Sequence, residues 1–542
     1  MSDAETPPAS RLRAAREAVT SRGPVVLAAA VSVLVLLPLS WMVIAGGRVL
    51  RTGGVAAILL RSRTLGIALN SLLLTTVVTG ASILVGVPLA YLTTRTDLPF
   101  LRFFTVALAM PLVIPSYIGA FAFASAFAPR GEVQSLLEPF GVESIPGIYG
   151  LPGAALVITL YTYPYVFITT RAALKSLDTR LVDAARTLRH TPWQAFRRVT
   201  LPQVRPAVTA GALLVALYAI SDFGTPAILR YDVFTRAIYV EFNNAFGRDT
   251  AALLSVVLVL VTVAILAVER RYSGGDHVDT TRGHAGGGSR VSLGAWRWPA
   301  VLPCLLVAGL ALVVPLAILG LWLVRPSGGM AVAFGLEHVV NSVSVAAGAA
   351  VLAALVGLPV AHLSAREGSR LATLFERASY VGYAVPGIIV GIALVFLGAR
   401  FGGDLYRSGL LAFPLLLYAY VVRFLPQAVG STRASILRVS PALPEAARSL
   451  GRSPFGAFRS VTLPLIAPGQ IGGAALVFLT VMKELPATLM LRPAGFETLV
   501  TFVWRAERSA AYGSAALPAL VLVVVSACSM LVILGMEGYS VE

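Results

Sequence analysis

The chain alternates between long apolar runs and short polar segments, and the apolar runs fall into two sets of six. Each run is long enough to cross the hydrocarbon core of a bilayer, which is roughly 30 Å thick and takes about 20 helical residues. The runs are 25–45, 65–93, 103–128, 151–170, 207–228 and 250–268, then 299–323, 339–364, 380–399, 409–430, 466–490 and 512–535. Because lipid cannot satisfy backbone polar groups, the pattern predicts an all-α integral membrane protein with about 12 transmembrane helices.

A polar, glycine-rich stretch separates the two sets of runs near the midpoint of the chain. Its composition is typical of a flexible linker. We therefore predict a cytoplasmic N-terminal tail at 1–24, a first transmembrane domain at 25–268, a flexible cytoplasmic linker at 269–298 and a second transmembrane domain at 299–542.

The two sets of runs repeat each other in sequence. Asn70-Ser71 recurs as Asn341-Ser342 and Pro115 recurs as Pro386, in both cases 271 residues later. Beyond a longer loop near 129–150 the spacing between equivalent residues becomes 262. Six spans in each half give both halves the same orientation, so the sequence predicts a pseudo-two-fold axis along the membrane normal.

The composition agrees with a protein solvated by lipid. Hydrophobic residues make up 57% of the 542 residues and charged residues 13%, whereas a soluble domain has about 45–50% and about 25%. The net charge of +17 is typical of membrane proteins with basic cytoplasmic loops that face anionic lipid. We therefore expect membrane lipid, and not nucleic acid, as the partner of these basic residues.

Loop charges predict the orientation in the cell membrane. The segment 171–205 and its counterpart 433–459 are rich in arginine, whereas the loop 129–150 is acidic. Basic loops stay on the cytoplasmic side, so both Arg-rich loops and both termini are predicted to be cytoplasmic. Four arginines, Arg48, Arg51, Arg61 and Arg63, conflict with this orientation because it places their loop outside.

The two Arg-rich loops are also the segments in which the halves are most alike. Residues 183–202 begin Asp-Ala-Ala-Arg-Thr-Leu-Arg and end Leu-Pro, and residues 445–464 begin Glu-Ala-Ala-Arg-Ser-Leu-Gly and end Leu-Pro. In the second copy Glu445 suits the first turn of a helix and Gly451 suits a left-handed helix end. Ser453-Pro454 would start another helix. The sequence predicts two short helices at a bend, a shape that fits a groove on a cytoplasmic partner.

This spacing resembles the EAA loop of binding-protein-dependent ABC importer permeases, which reads Glu-Ala-Ala, three residues, Gly, and a hydrophobic stretch ending in Leu-Pro. In this sequence Asp183 replaces the Glu of the first copy and Arg189 replaces its Gly, which makes a left-handed bend costlier there. The resemblance assigns ATPase coupling to Asp183, Ala184, Ala185, Arg189, Phe196, Leu201 and Pro202, and to Glu445, Ala446, Ala447, Gly451, Phe458, Leu463 and Pro464.

The same resemblance implies the partners. Each loop would dock into one of two copies of a cytoplasmic ABC ATPase, and an extracytoplasmic solute-binding protein would deliver the solute. The chain itself has no phosphate-binding loop of the Gly-x-x-x-x-Gly-Lys-Ser/Thr type. We therefore expect it to bind no cofactor and not to be an enzyme, with ATP used by the partner subunits.

The cargo is suggested by a more specific resemblance. A fused pair of halves with the stretches 221–226, 483–488 and 496–499 is similar to ferric-iron permeases, and less so to permeases for thiamine or an aminoalkylphosphonate. Asp222 and Glu484 occupy equivalent positions late in the fifth run of each half. Intramembrane carboxylates usually face a water-filled path, and their oxygens suit a hard cation. We predict that both flank the translocation path; alternatively they are solvated at the interface, or Glu484 pairs with a basic neighbour.

Several further residues are weaker candidates for the path. Tyr161 and Tyr163, with the neighbouring Tyr165, are either iron ligands or part of an interfacial aromatic belt. Arg423 either serves an anionic substrate or extends toward a helix end. His362 has no partner at metal-ligand spacing, so no resident metal site is predicted.

Two other classes of function remain as alternatives. A secondary transporter is also built from repeats, but it has no ATPase with which to couple a duplicated cytoplasmic loop. An intramembrane enzyme would need a cluster of catalytic side chains, and none is evident.

Overall fold

The computed structural model describes residues 8–51, 55–129, 131–142, 144–177, 187, 191–244, 246–273, 291–324, 333–366 and 369–536. Up to residue 273 the helices are α1 (Pro8–Arg51), α2 (Val55–Leu59), α3 (Ser62–Arg95), α4 (Leu101–Ala107), α5 (Ser116–Ala126), α6 (Glu132–Leu137), α7 (Leu151–Ser176), α8 (Pro192–Ala195), α9 (Leu201–Ser221), α10 (Gly224–Ile228), α11 (Phe234–Asn243) and α12 (Arg248–Ser273).

The second half continues with α13 (Val301–Ala308), α14 (Val314–Val324), α15 (Leu336–Arg366), α16 (Arg370–Ala384), α17 (Gly387–Phe401), α18 (Gly403–Arg407), α19 (Ala412–Arg438), α20 (Ala442–Ser449), α21 (Pro454–Ala457), α22 (Leu463–Met482), α23 (Pro486–Leu491), α24 (Leu499–Arg508) and α25 (Tyr512–Met536). Short 3₁₀ segments lie at Met110–Val113, Glu138–Phe140 and Gly294–Arg297, and π-helical segments at Phe196–Thr200, Gly309–Val313 and Phe458–Thr462.

Within the described residues, ten helical stretches are long and apolar enough to cross a membrane, or up to twelve if two bent pairs are each counted as one span. No β-strand occurs in that part of the chain. The predicted all-α membrane fold is therefore confirmed.

The third apolar run of each half is broken, so the prediction of one continuous helix there is wrong. Leu101–Val113 and Ser116–Ala126 meet at 92°, and Arg370–Ala384 and Gly387–Phe401 meet at 100°. Pro115 and Pro386 sit at the two breaks with extended backbone. Proline has no N–H to donate and disfavours helical backbone in the residue before it, so the helix stops although the run stays apolar.

The fifth span of each half ends earlier than predicted. Helix α9 ends at Ser221 and α22 ends at Met482, and the short helices α10 and α23 follow each break. At these breaks a carboxylate accepts a hydrogen bond from the backbone of the next helix, Asp222 from Gly224 N at 3.1 Å and Glu484 from Ala487 N at 3.1 Å. Such side-chain bonds compete with continuation of the helix. Both carboxylates therefore lie at a break and not inside a continuous span.

The described helices pack into two compact units. We call Ala45–Phe334 with Phe502–Val523 the first-half unit, and Met1–Ile44 with Gly335–Thr501 and Val524–Glu542 the second-half unit. In the second-half unit, Trp41 of α1 packs edge-on against Phe401 with ring centroids 5.2 Å apart. In the first-half unit, Trp322 of α14 packs against Phe121 at 5.0 Å. The first span of each half therefore packs with helices of the other half, which the predicted domain boundaries did not anticipate.

Candidate coupling loops and membrane carboxylates

The second Arg-rich loop has the predicted helix, bend and helix. Glu445 lies in the first turn of α20, which also carries Ala446 and Ala447. Gly451 follows the helix with φ of +86°, a left-handed conformation that costs a residue with a Cβ atom about 1–2 kcal/mol. The Ser453 side chain then accepts a hydrogen bond from Gly456 N at 3.1 Å and caps α21. The bend is thus fixed by local chemistry.

The same loop presents apolar side chains to its surroundings. Leu450 is 85% exposed and Phe455 is 67% exposed. They stand on either side of the bend at Gly451, beside the exposed Arg448 and Arg452. Exposed apolar groups bordered by polar ones are typical of an interaction site.

The first Arg-rich loop is described only in part. Asp183, Ala184, Ala185 and Arg189 lie outside the described residues. The described part starts with a reciprocal capping box, in which Gln194 N donates to Thr191 Oγ1 at 3.2 Å and Thr191 N donates to Gln194 Oε1 at 3.0 Å. The second copy uses only the Ser453 half of this arrangement.

Both loops join their transmembrane helix through a π-helical turn. The turns are Phe196–Thr200 and Phe458–Thr462, and the next helix begins with Leu201-Pro202 in one half and with Leu463-Pro464 in the other. These turns start at residues 262 positions apart. Isolated π turns frequently mark functional sites in helices, and this one is duplicated with the loop.

The second span of each half holds the coupling loop at two points. Arg95 Nη2 donates to Leu177 O at 3.1 Å, and Arg366 Nη2 donates to Val439 O at 3.1 Å. These carbonyls lie where each loop leaves the preceding span. Arg95 and Arg366 are 271 residues apart, as the repeat requires, but the sequence analysis gave them no role.

At the other end of each loop, an aromatic ring of the second span meets the π turn. Tyr91 and Phe196 have ring centroids 5.0 Å apart, and His362 and Phe458 have centroids 5.5 Å apart, both in edge-on geometry. Each half thus has one arginine at the start of the loop and one ring contact at its end. The residues that form these contacts lie at equivalent positions of the two halves. This equivalence is the signal in the sequence that could have identified both contacts.

The first membrane carboxylate, Asp222, has neutral hydrogen-bond donors. Asp222 Oδ2 accepts from Ser116 Oγ at 3.1 Å and Oδ1 accepts from Gly224 N. The Tyr218 hydroxyl donates to Ser116 Oγ at 3.0 Å. No Lys, Arg or His among the described residues forms an ion pair with Asp222. The carboxylate is half-buried.

The second membrane carboxylate, Glu484, forms an ion pair with Arg423. Glu484 is 7% exposed, and the Arg423 side chain is 14% exposed. The prediction that Glu484 pairs with a neighbouring basic group is confirmed, and its solvation at the interface is wrong. Arg423 does not extend to a helix end, because its guanidinium is held by this buried partner.

The two tyrosines are enclosed by protein. Tyr163 is fully buried, and its hydroxyl donates to Leu108 O at 2.8 Å. Tyr161 is also buried, with its ring against Gly119. Their assignment to an interfacial aromatic belt is therefore wrong. Within the described residues no three His, Cys, Asp or Glu side chains are grouped so that they could hold a metal ion.

Ten to twelve apolar helices in the described residues, arranged as two repeats that each carry a similar loop, define a polytopic membrane protein with two homologous halves. The chain belongs to the family described as "binding-protein-dependent transport system inner membrane component". The sequence profile of that family matches twice, at residues 82–272 and 353–539. The two matches coincide with the two repeats found in the sequence.

Curated relatives carry more specific names. The "Fe(3+)-transport system permease protein FbpB 2" of Haemophilus influenzae is 32% identical over 86% of this chain and 89% of that protein. The "Ferric transport system permease protein FbpB" of Actinobacillus pleuropneumoniae is 23% identical, over 84% of this chain and 69% of its own length. The "Molybdate/tungstate transport system permease protein WtpB" of Thermococcus kodakarensis is 28% identical over 37% of this chain and 75% of its own length.

Proposed function

We propose that this chain is the transmembrane permease subunit of an ATP-driven importer of ferric iron. The observation that carries the proposal is the similarity to a Haemophilus influenzae protein named as a ferric permease, which extends over 86% of this chain. The match to the molybdate/tungstate relative covers 37% of the chain. Similarity through both halves supports a shared cargo more strongly than similarity through one half.

The chemistry of the membrane carboxylates supports a cationic cargo. An oxyanion would need hydrogen-bond donors of positive charge, such as arginine. Arg423 is the arginine that the sequence analysis named as a candidate for the path, and its charge is neutralised by the ion pair with Glu484. Asp222 by contrast has only neutral donors among the described residues, so its charge favours a cation.

The coupling loops supply the proposed link to ATP. Each loop docks into one copy of a cytoplasmic ABC ATPase, so one chain binds two copies. The exposed Leu450 and Phe455 at the bend between α20 and α21 support this docking, because short helices with apolar side chains suit a groove on a partner. A secondary transporter would have no use for two such loops.

The remaining partners and the location follow from the same family. A solute-binding protein, proposed to bind iron, delivers the cargo from outside the cell membrane, and both termini lie in the cytoplasm. Arg63, one of the arginines that conflict with this orientation, has its charge matched by Glu241 at 3.1 Å. That ion pair removes part of the conflict with the distribution of basic residues.

A transport assay tests the proposal. The chain is expressed with its cognate ATPase and solute-binding protein in cells that lack their own ferric importers, and uptake of radioactive iron is followed. We expect accumulation that stops when the catalytic glutamate of the ATPase is replaced. Uptake of thiamine, aminoethylphosphonate or molybdate in place of iron would exclude the ferric cargo but keep the importer. Accumulation that persists with the inactive ATPase indicates a secondary transporter instead.

A second prediction concerns the arginine that holds the second coupling loop. Arg366→Met removes the donor to Val439 O but keeps an apolar side chain of similar length. A hydrogen bond from a charged group contributes about 1.5–3 kcal/mol, so we expect transport per ATP hydrolysed to fall roughly tenfold. The ATPase should still bind, because Arg366 positions the loop and is not part of its exposed surface.

The matched variants are Arg95→Met in the first half, expected to act in the same direction, and Arg366→Lys, expected to recover part of the ratio. The measurement is iron uptake and ATP hydrolysis in the same proteoliposomes. An unchanged ratio of transport to hydrolysis in Arg366→Met means that the contact has no role in coupling.

A further inference from the structure

The two halves carry the same framework around their membrane carboxylates but fill it with different side chains. At the break in the third run, Ser116 is equivalent to Gly387, 271 residues later. On the fourth span Tyr161 is equivalent to Arg423, and at the break in the fifth run Asp222 is equivalent to Glu484, both 262 residues apart. The two halves are therefore closely similar in their coupling loops but differ in side-chain chemistry at these three pairs of positions.

In the second half the side chains at these positions contact one another. Glu484 pairs with Arg423, and its other oxygen accepts from Ala487 N at 3.1 Å. Gly387 leaves no room for anything larger, because a Cβ atom there would collide with both the Arg423 guanidinium and the Glu484 carboxylate. Because the Glu484 carboxylate is nearly fully buried and its charge is neutralised by Arg423, this pair offers no ligand to a passing ion.

In the first half no basic side chain of the described residues forms an ion pair with the corresponding carboxylate. Ser116 contributes a hydroxyl where the second half has Gly387, and Tyr161 stands where the second half has Arg423. The oxygens of Asp222 accept hydrogen bonds from Ser116 Oγ and Gly224 N, both neutral donors, and Thr225 also lies beside this carboxylate. The Tyr161 hydroxyl is buried and has no hydrogen-bond partner among the described residues. The first half thus holds a negative charge beside the hydroxyls of Ser116 and Tyr218, with only neutral donors to it among the described residues.

We propose that the two carboxylates have different roles, and that Asp222, with the hydroxyl oxygens of Ser116 and Tyr218, is the contact for a hard trivalent cation in the membrane. Glu484 then only stabilises the break in its own half through Arg423. The proposal rests on the ferric cargo proposed above. Carboxylate and hydroxyl oxygens match a hard cation, and a single charged ligand suits a passage site, where the ion must bind weakly enough to leave.

The experiment uses terbium(III), a trivalent probe whose luminescence is sensitised by nearby tyrosine, on the full chain purified in a neutral detergent. We expect wild-type protein to show a saturable luminescence component that ferric iron displaces. Asp222→Asn keeps an oxygen that accepts from Gly224 N and gains an amide N–H that can donate to Ser116 Oγ, but it removes the charge and should weaken this component at least tenfold. Size-exclusion profile and melting temperature show that the variant is folded.

Two matched variants separate the site from other carboxylates. Arg423→Met combined with Glu484→Leu removes the buried pair as a unit, and Asp249→Asn removes an exposed carboxylate at the start of α12. Both should retain the terbium component within about twofold. A wild-type protein without a saturable component, an Asp222→Asn variant that retains it, or an equal loss in the Arg423/Glu484 double variant overturns the proposal.

Iron uptake in cells distinguishes this inference from the proposed function. If wild-type cells accumulate no iron while terbium binding depends on Asp222, the ferric cargo is wrong and the cation site stands. If wild-type and Asp222→Asn cells accumulate iron equally, the importer stands and the assigned role of Asp222 is wrong.

Discussion

Replacing Leu450 and Phe455 together by aspartate is expected to abolish ATP-driven accumulation of solute while the chain remains folded in the membrane. Both side chains are largely exposed, at 85% and 67%, so they contribute little to the internal packing of the second-half unit. In a docked complex they would enter an apolar groove, where a buried carboxylate without a partner is strongly unfavourable. Central interface residues of this kind cost about 2 kcal/mol or more when lost, which is roughly a thirtyfold change in affinity for each.

The measurement is co-purification of the ATPase with the chain, followed by uptake in proteoliposomes. The matched control is Leu450→Met with Phe455→Leu, which keeps apolar side chains at the bend and should keep at least half of the uptake. If the double aspartate variant binds the ATPase and transports as wild type does, the loop at Gly451 is not the docking site.

Breaking the ion pair between Arg423 and Glu484 is expected to have the largest effect on stability. Arg423→Met leaves a carboxylate that is 7% exposed without its cation, and removal of one partner from a buried pair costs about 3–5 kcal/mol. Typical proteins have about 5–15 kcal/mol of stability in total. We therefore expect Arg423→Met to reduce the yield of folded protein severalfold and to lower its melting temperature.

The double variant Arg423→Met with Glu484→Leu provides the control, since replacing a buried pair by apolar residues of similar volume is often neutral. It should recover most of the lost stability, measured by fluorescence-detected size exclusion and thermal unfolding. A single variant as stable as wild type, or a double variant as unstable as the single one, shows that the pair does not stabilise the second-half unit.

The features that the sequence predicted well depend on local chemistry. The apolar runs and the bend at Gly451 after α20 could be read from neighbouring residues, because membrane solvation and left-handed backbone act over a few positions. The cap at Ser453 belongs to the same group. Each of these features needs no partner from a distant part of the chain.

Hydropathy did not predict the breaks in the third span of each half, because the chain stays apolar where it changes direction. The segments on both sides of Pro115 and Pro386 are apolar, so hydropathy cannot show that the helices meet at 92° and 100°. Proline was used in the sequence only to align the repeats. Its effect on the preceding residue was the available signal for the breaks.

The sequence by itself determined the class of protein, its two repeats and the chemistry of the second coupling loop, because these follow from composition and from contacts within one or two helical turns. Only the tertiary structure decided which charges are neutralised, which helix holds each loop and which half the first span packs against. Arg423 and Glu484 are 61 residues apart, and Arg366 and Val439 are 73 apart. Contacts of this kind depend on how whole helices pack, and helix packing admits several arrangements for the same apolar surfaces.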